Sequence, residues 1–143
     1  MDLEAPTGEE LAASPLVREA IEAAWTDSLP ADPSRRHEEG GWIYLNLATG
    51  ELSVRRAAIG ARAAINLNRP PELAGCVVVG KFHTHPNPTA DGWNPGPSQS
   101  DIRADGIHGV PDLIRADNDL YYSGPTKRRG GLTGPPGYPL PEA

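Results

Sequence analysis

The chain is short of cysteine, of positive charge and of long apolar runs, and each shortage removes a class of protein. Its single cysteine, Cys76, can form no internal disulfide and cannot build a cysteine-based zinc framework. A reducing cytosol is therefore permitted. Lys and Arg number 13 against 19 Asp and Glu, a formal net charge of −6. That balance argues against the basic face that binds nucleic acid and against docking on an anionic membrane surface. No apolar stretch approaches the roughly 18 residues of a membrane-spanning helix. The opening residues, MDLEAPTGEE, are acidic without an apolar segment, so no secretory signal is expected. No internal repeat is present. With 143 residues, 38% of them apolar, one soluble cytoplasmic domain around one core is expected.

Proline and glycine are abundant, 16 of each, so loops should make up much of the chain. Residues 1–13 read as a flexible leader. A helix is predicted from Ser14-Pro15, with the serine as N-cap and the proline in the first turn. Leu16, Val17, Ala20, Ile21, Ala24 and Trp25 then recur at helical spacing. GWIYLNLATGELSVRRA, residues 41–57, alternates on either side of ATGE and predicts a β-hairpin. Residues 61–75 fit a helical turn or a strand. GCVVVGKFHTH, residues 75–85, is the clearest strand, and its near-continuous apolar start predicts a central position covered on both faces. Ser98 should open a short helix that Gly106 and Gly109 end. DLIRA and DLYYSG predict two short strands around Asp117-Asn118. Residues 124–143, dense in breakers, read as an extended or disordered tail. The domain is thus expected over residues 14–123, an α/β fold with a mixed, mainly antiparallel sheet flanked by helices.

The chemistry concentrates in KFHTHPNPTADGWNPGPSQSDI, residues 81–102. Residues two apart in a strand share a face, so His83 and His85 project together. They stand at the strand's end, because Pro86 cannot donate to a ladder. Ser98-Gln99-Ser100-Asp101 at a helix start places the Asp101 carboxylate in the first turn, and the intervening loop allows it to fold back onto the histidines. Two imidazoles, one carboxylate and an open fourth position describe a catalytic zinc site. Ser98 and Asp101 also make a plain capping arrangement, and the serine can serve both purposes. Hydrolysis needs one more group, a base for the proton of water. Glu38 and Glu39, just ahead of Gly40-Gly41, are the candidates; the alternative is that they are solvated loop acids beside Arg35 and Arg36.

Taken in order, Glu38-Glu39-Gly40-Gly41, His83-Thr84-His85-Pro86 and Ser98-Gln99-Ser100-Asp101 resemble the motif set of the JAMM (MPN-plus, or JAB) metalloproteases over residues 38–123. The resemblance implies that His83, His85 and Asp101 bind Zn2+, that Glu38 is the general acid/base with Glu39 as fallback, and that Ser98 helps hold the oxyanion of the tetrahedral intermediate. It implies a sandwich fold related to the cytidine deaminases. The implied reaction is cleavage of a peptide or isopeptide bond, typically after the C-terminal glycine of a ubiquitin-like protein. The loop between His85 and Ser98 is longer than the family's usual spacing and carries Asp91 and Trp93. Trp93 is a candidate substrate contact or a plug for its own loop. A chain this short has no room for the insertions that read ubiquitin in larger relatives, so a ubiquitin-like partner or another peptide is the expected substrate.

Rival chemistries lack their residues. Cys76 lies seven residues before His83, on the opposite face by strict alternation and far along the strand, so a buried structural thiol is expected rather than a nucleophile. The deaminase pattern of His-x-Glu with a later Pro-Cys-x-x-Cys is missing, as is His-Glu-x-x-His. KRRGGLTG superficially matches the Arg-Gly-Gly end of a ubiquitin-like protein but reads as a basic, flexible tail. His37 and His108 have no partner spacing and are expected at the surface. The alternative functions are a peptidase toxin or effector domain and a catalytically inactive metal-binding interaction module.

Overall fold

Ser14 caps a helix as its residue type suggests: its hydroxyl accepts from the Val17 N–H, Pro15 occupies the first position, and helix α2 runs Pro15–Asp27. The computed structural model describes residues 3–134, 137 and 138. Val17, Ile21 and Ala24 form the buried face of α2, whereas Leu16, at the edge of the predicted stripe, is exposed. The expected hairpin consists of β1 (Gly40–Asn46) and β2 (Leu52–Arg56). β3 (Cys76–His85) follows, then helix α3 (Gln99–His108), β4 (Asp112–Ala116) and β5 (Leu120–Ser123). Gly106 lies inside α3, and the left-handed Gly109 ends it.

The five strands form one sheet in the order β2-β1-β3-β4-β5. Only β3 and β4 are parallel; the other pairings are antiparallel. The fold is therefore α/β with a mixed, mainly antiparallel sheet flanked by helices, and β3 is central. A parallel pair needs a crossover. Here the crossover is the loop after His85 plus α3, and it returns the first turn of α3 to the carboxyl end of β3. That is where the histidines stand.

Two expectations at the chain ends need correction. Residues 8–13, expected in a flexible leader, form helix α1 (Gly8–Ala13). Thr7 and Glu10 close a reciprocal capping box at its start, and Leu11 is fully buried in the core. The segment expected as a loose tail is also packed where it is described. Gly8 N–H donates to the Thr126 carbonyl, and Arg128 is buried with its Nε 3.1 Å from the Val78 carbonyl oxygen. Tyr138 stacks on His108 at 4.1 Å. Glycines 130 and 131 adopt the left-handed conformation and turn the chain back. Residues 1, 2, 135, 136 and 139–143 of those two expectations lie outside the described residues. Residues 61–75 form neither helix nor strand; Trp42 Nε1 and the Tyr44 hydroxyl hold them by donating to the carbonyls of Leu67 and Pro71.

A bulge decides which side chains of β3 share a face. Across from β1, Gly80 pairs with Ile43 but Val78 pairs with Tyr44, so Val79 is an extra residue. Counting by twos is broken there. Cys76 faces Asn46, Lys81 faces Trp42 and His83 faces Gly40, three positions on the same side of β1. Cys76 and His83 thus share a face, contrary to strict alternation. They remain seven residues apart, about 23 Å at strand rise. Val77, Val79 and Phe82 pack instead on the opposite side with Leu11, Val17, Ile21, Ala24, Ile43, Leu45 and Leu113. Gly80 belongs on that side too, because a Cβ there would stand 2.6 Å from Leu11 Cδ1.

Candidate metal centre

His83 and His85 leave the end of β3 with their Nε2 atoms 3.1 Å apart. Asp101, at the third position of α3, reaches both: Oδ1 lies 3.4 Å from His83 Nε2 and Oδ2 lies 3.2 Å from His85 Nε2. The far nitrogen of each ring is already occupied. His83 Nδ1 lies 3.2 Å from Asp112 Oδ1, and His85 Nδ1 lies 3.2 Å from the Pro95 carbonyl oxygen. Carboxylate and carbonyl oxygens only accept, so each Nδ1 carries a hydrogen and each Nε2 is the nitrogen turned inward. Two lone pairs and a carboxylate at this separation repel unless a cation lies among them.

Local sequence explains the convergence. Ser98 caps α3, its Oγ accepting from the Asp101 N–H at 3.0 Å while Asp101 Oδ2 accepts from the Ser98 N–H at 2.9 Å. This box fixes the carboxylate at the helix start. Gly40 faces His83 across the ladder because a Cβ there would run into the Phe82 carbonyl and stand 3.0 Å from His83 Cβ.

Glu38 precedes β1 and is held by its backbone, which donates to Ala61 O and accepts from Gly60 N. Its side chain is buried. Ligand atoms of Glu38, His83 and His85 all lie within 4.8 Å of one another, a group that could hold a metal ion. Burial pushes the Glu38 carboxyl up to about 7, with the two histidines pulling only partly against it. Burial opposes charge on Asp101 as well, but hydrogen bonds from His83 and His85 hold it well below the usual carboxylate range. Burial alone would favour neutral His83; Asp112 and Asp101 outweigh it and raise that ring well above its ordinary value.

Comparison with family models, with curated proteins and with solved structures finds no match for this chain.

The remaining candidates fall into place individually. Glu39 points away from the centre, to Arg56 Nη2 at 2.8 Å and His37 Nε2 at 2.6 Å, so Glu38 is the carboxyl that joins the histidines. Ser98 is exposed and acts as the helix cap. Trp93, on the loop before α3, is 44% exposed. Cys76 is a free, half-buried thiol. His37 is half-buried against Glu39 rather than free at the surface. His108, also expected at the surface, is buried, with Nδ1 2.6 Å from Lys81 Nζ and Nε2 2.8 Å from Asn68 Oδ1.

Sequence reasoning passed over Lys81, Asp105 and Asp112 behind His83 and misplaced His108; all four are buried. One signal was available. Lys81 interrupts the apolar run VVVGKF, and a charge inside a central strand has to be matched from neighbouring elements. No helix among the described residues is long and apolar enough to cross a membrane.

Proposed function

We propose that this chain is a zinc-dependent metallopeptidase of the JAMM type, with the sandwich fold of that family. His83, His85 and Asp101 are the ligands and Glu38 is the general acid/base. The observation that carries the reading is the convergence of both Nε2 atoms on the Asp101 carboxylate, with both Nδ1 positions already satisfied. Each Nε2 has its own Asp101 oxygen, Oδ1 at 3.4 Å from His83 and Oδ2 at 3.2 Å from His85, and the two Nε2 atoms are 3.1 Å apart. Two neutral imidazoles and a carboxylate are a donor set suited to zinc.

Zinc held by His83, His85 and Asp101 would supply Lewis-acid chemistry toward a scissile carbonyl and the activation of water. The chain supplies the rest. No hydrogen bond reaches the Glu38 carboxyl among the described residues, and its pKa of about 7 suits a group that must accept a proton and return it near neutral pH. Glu38 would take the proton of water as its oxygen bonds to the carbonyl carbon and pass that proton to the amine as the C–N bond breaks. The Ser98 hydroxyl accepts from Asp101 N–H and lies 3.1 Å from Ser100 Oγ, where either can donate; with Ser100 as that donor, the Ser98 proton serves a developing oxyanion. Trp93, exposed on the loop between His85 and α3, offers an apolar contact for a peptide. A buried carboxyl with a raised pKa beside the ligands favours catalysis over an inert metal-binding module. The substrate class is a protein or peptide, with the C-terminus of a ubiquitin-like protein as the first to try.

The test begins with zinc content by elemental mass spectrometry on wild type and Asp101→Ala. Near-stoichiometric zinc that falls sharply in the variant is expected, together with zinc-dependent cleavage of ubiquitin-like fusion proteins. Wild-type protein that stays metal-free after zinc is supplied would remove the peptidase reading.

A further inference from the structure

We propose that Asp112 is a positioning residue for His83, with Lys81, itself bound by Asp105 and His108, as its nearest countercharge. The inference rests on the metal-site reading above and extends it to residues that touch neither metal nor substrate.

Register places the group. Asp112 on β4 pairs with Lys81 on β3, and Lys81 and His83 lie on one face, so the Asp112 carboxylate reaches back to His83 Nδ1 at 3.2 Å. Lys81, Asp105, His108 and Asp112 are each no more than 2% exposed. Charges buried this deeply are retained only when matched. Lys81 Nζ lies 2.6 Å from Asp105 Oδ1, 2.6 Å from His108 Nδ1 and 3.9 Å from Asp112 Oδ2. His108 is fixed in turn: Asn68 Oδ1 accepts from its Nε2–H, which leaves Nδ1 to accept from the lysine. Three elements, β3, α3 and β4, thus each contribute charge to one cluster directly behind one ring.

Such a carboxylate does two things to a ligating histidine. It fixes the tautomer and ring orientation, and it makes the opposite nitrogen more basic. His85 has only the neutral Pro95 carbonyl in the corresponding place. The two histidines are therefore not equivalent: His83 is held by a carboxylate and His85 by a neutral carbonyl, and Asp112 makes the difference.

The experiment uses the full chain and zinc alone as the probe. Zinc affinity is measured by competition with a chromophoric chelator for wild type, Asp101→Ala, Asp112→Ala and Asp112→Asn, with near-UV circular dichroism reporting the fold. Both Asp112 variants should bind zinc about 10–100-fold more weakly, and Asp101→Ala should lose the site. In the zinc-loaded protein, nitrogen-15 NMR should show the His83 Nδ1–H resonance shifted and its exchange with water accelerated in Asp112→Ala. The His85 Nδ1–H serves as the internal control and should stay unmoved. A folded Asp112→Ala with wild-type affinity and an unmoved His83 resonance would overturn the positioning role while leaving the metal site intact. Absence of zinc from wild type would instead overturn the metal reading and this inference with it. Should Asp112→Ala fail to fold, Asp112→Asn decides by the same readouts, since it keeps the shape and an acceptor but not the charge. Unchanged affinity and an unmoved His83 resonance in that variant would overturn the proposal.

Discussion

On the α1/α2 side of the sheet, Leu11, Val17, Ile21 and Ala24 meet Ile43, Leu45, Val79, Phe82 and Leu113 in a buried apolar layer. On the α3 side, the same strands present Lys81, His83 and Asp112 to Asp105 and His108, all buried, with Glu38 alongside. Two faces of one sheet thus follow opposite rules. Apolar burial stabilises by about 25 cal/mol per Å², whereas each buried charge must be compensated by a partner. The comparison teaches a division of labour: one face supplies the stability that lets the other hold ionisable groups close together. The bulge at Val79 makes the division possible within β3, since it turns Val77, Val79 and Phe82 one way and Cys76, Lys81 and His83 the other.

Four substitutions would break or sharpen this contrast. Glu38→Gln should have the largest effect on the polar face, lowering peptide hydrolysis by about 10²–10⁴-fold with zinc content unchanged. Steady-state rates and elemental analysis on the same preparation check it, and loss of zinc would make Glu38 a ligand instead. Leu11→Ala should act only on the other face. Its cost should be about 2–5 kcal/mol of unfolding free energy, as for other fully buried leucines, with zinc affinity kept in the folded fraction; urea unfolding and chelator competition read the two separately.

His108→Gln addresses pH. Burial first, and the Lys81 charge second, depress this imidazole from 6.5 to about 3. The unfolded chain takes up a proton below pH 6.5 while the folded protein refuses it down to about 3, so wild-type stability is lost as pH falls through that window. The slope from this group approaches about 1.4 kcal/mol per pH unit. Unfolding of the metal-free protein between pH 7 and 4 should show that component in wild type and not in the variant; parallel curves would refute it. The smallest effect is expected for Ser98→Ala, which removes the cap of α3 at about 1 kcal/mol. Thermal unfolding reads the cap, and a rate loss beyond that accounted for by weaker zinc binding would separate an oxyanion role from capping.

Much of the frame was legible in the residue order. Ser14-Pro15, the alternating hairpin around ATGE and the apolar run into KFHTH carry strong local signals, and all three elements form where those signals put them. The α/β class followed from their order. Other features were not legible, for identifiable reasons. Helix α1 has only six residues, too few for an apolar period to show, and it is stabilised by burying Leu11 against strands far away in sequence. Arg128 and Tyr138 sit among glycines and prolines that resemble a loose tail, yet their burial depends on β3 and on His108. The motif ranked Glu38 ahead of Glu39 without deciding between them, because adjacent residues of the segment entering β1 point to opposite sides and only the pairing with β3 says which side holds the histidines.

The sequence by itself determined the donor inventory of the candidate site: two histidines one residue apart, a capped helix start with an aspartate three positions on, and a glutamate ahead of paired glycines. These are short-range facts, set by strand alternation and helix capping within a few residues. Only the tertiary structure decided that the three donors meet at 3.1–3.4 Å, that Glu38 rather than Glu39 joins them, and that Asp112 stands behind His83. Those outcomes depend on the β3–β4 crossover, the Val79 bulge and the burial of charges contributed by separate elements. Long-range register and desolvation set them, and neither is written in any local stretch of the chain.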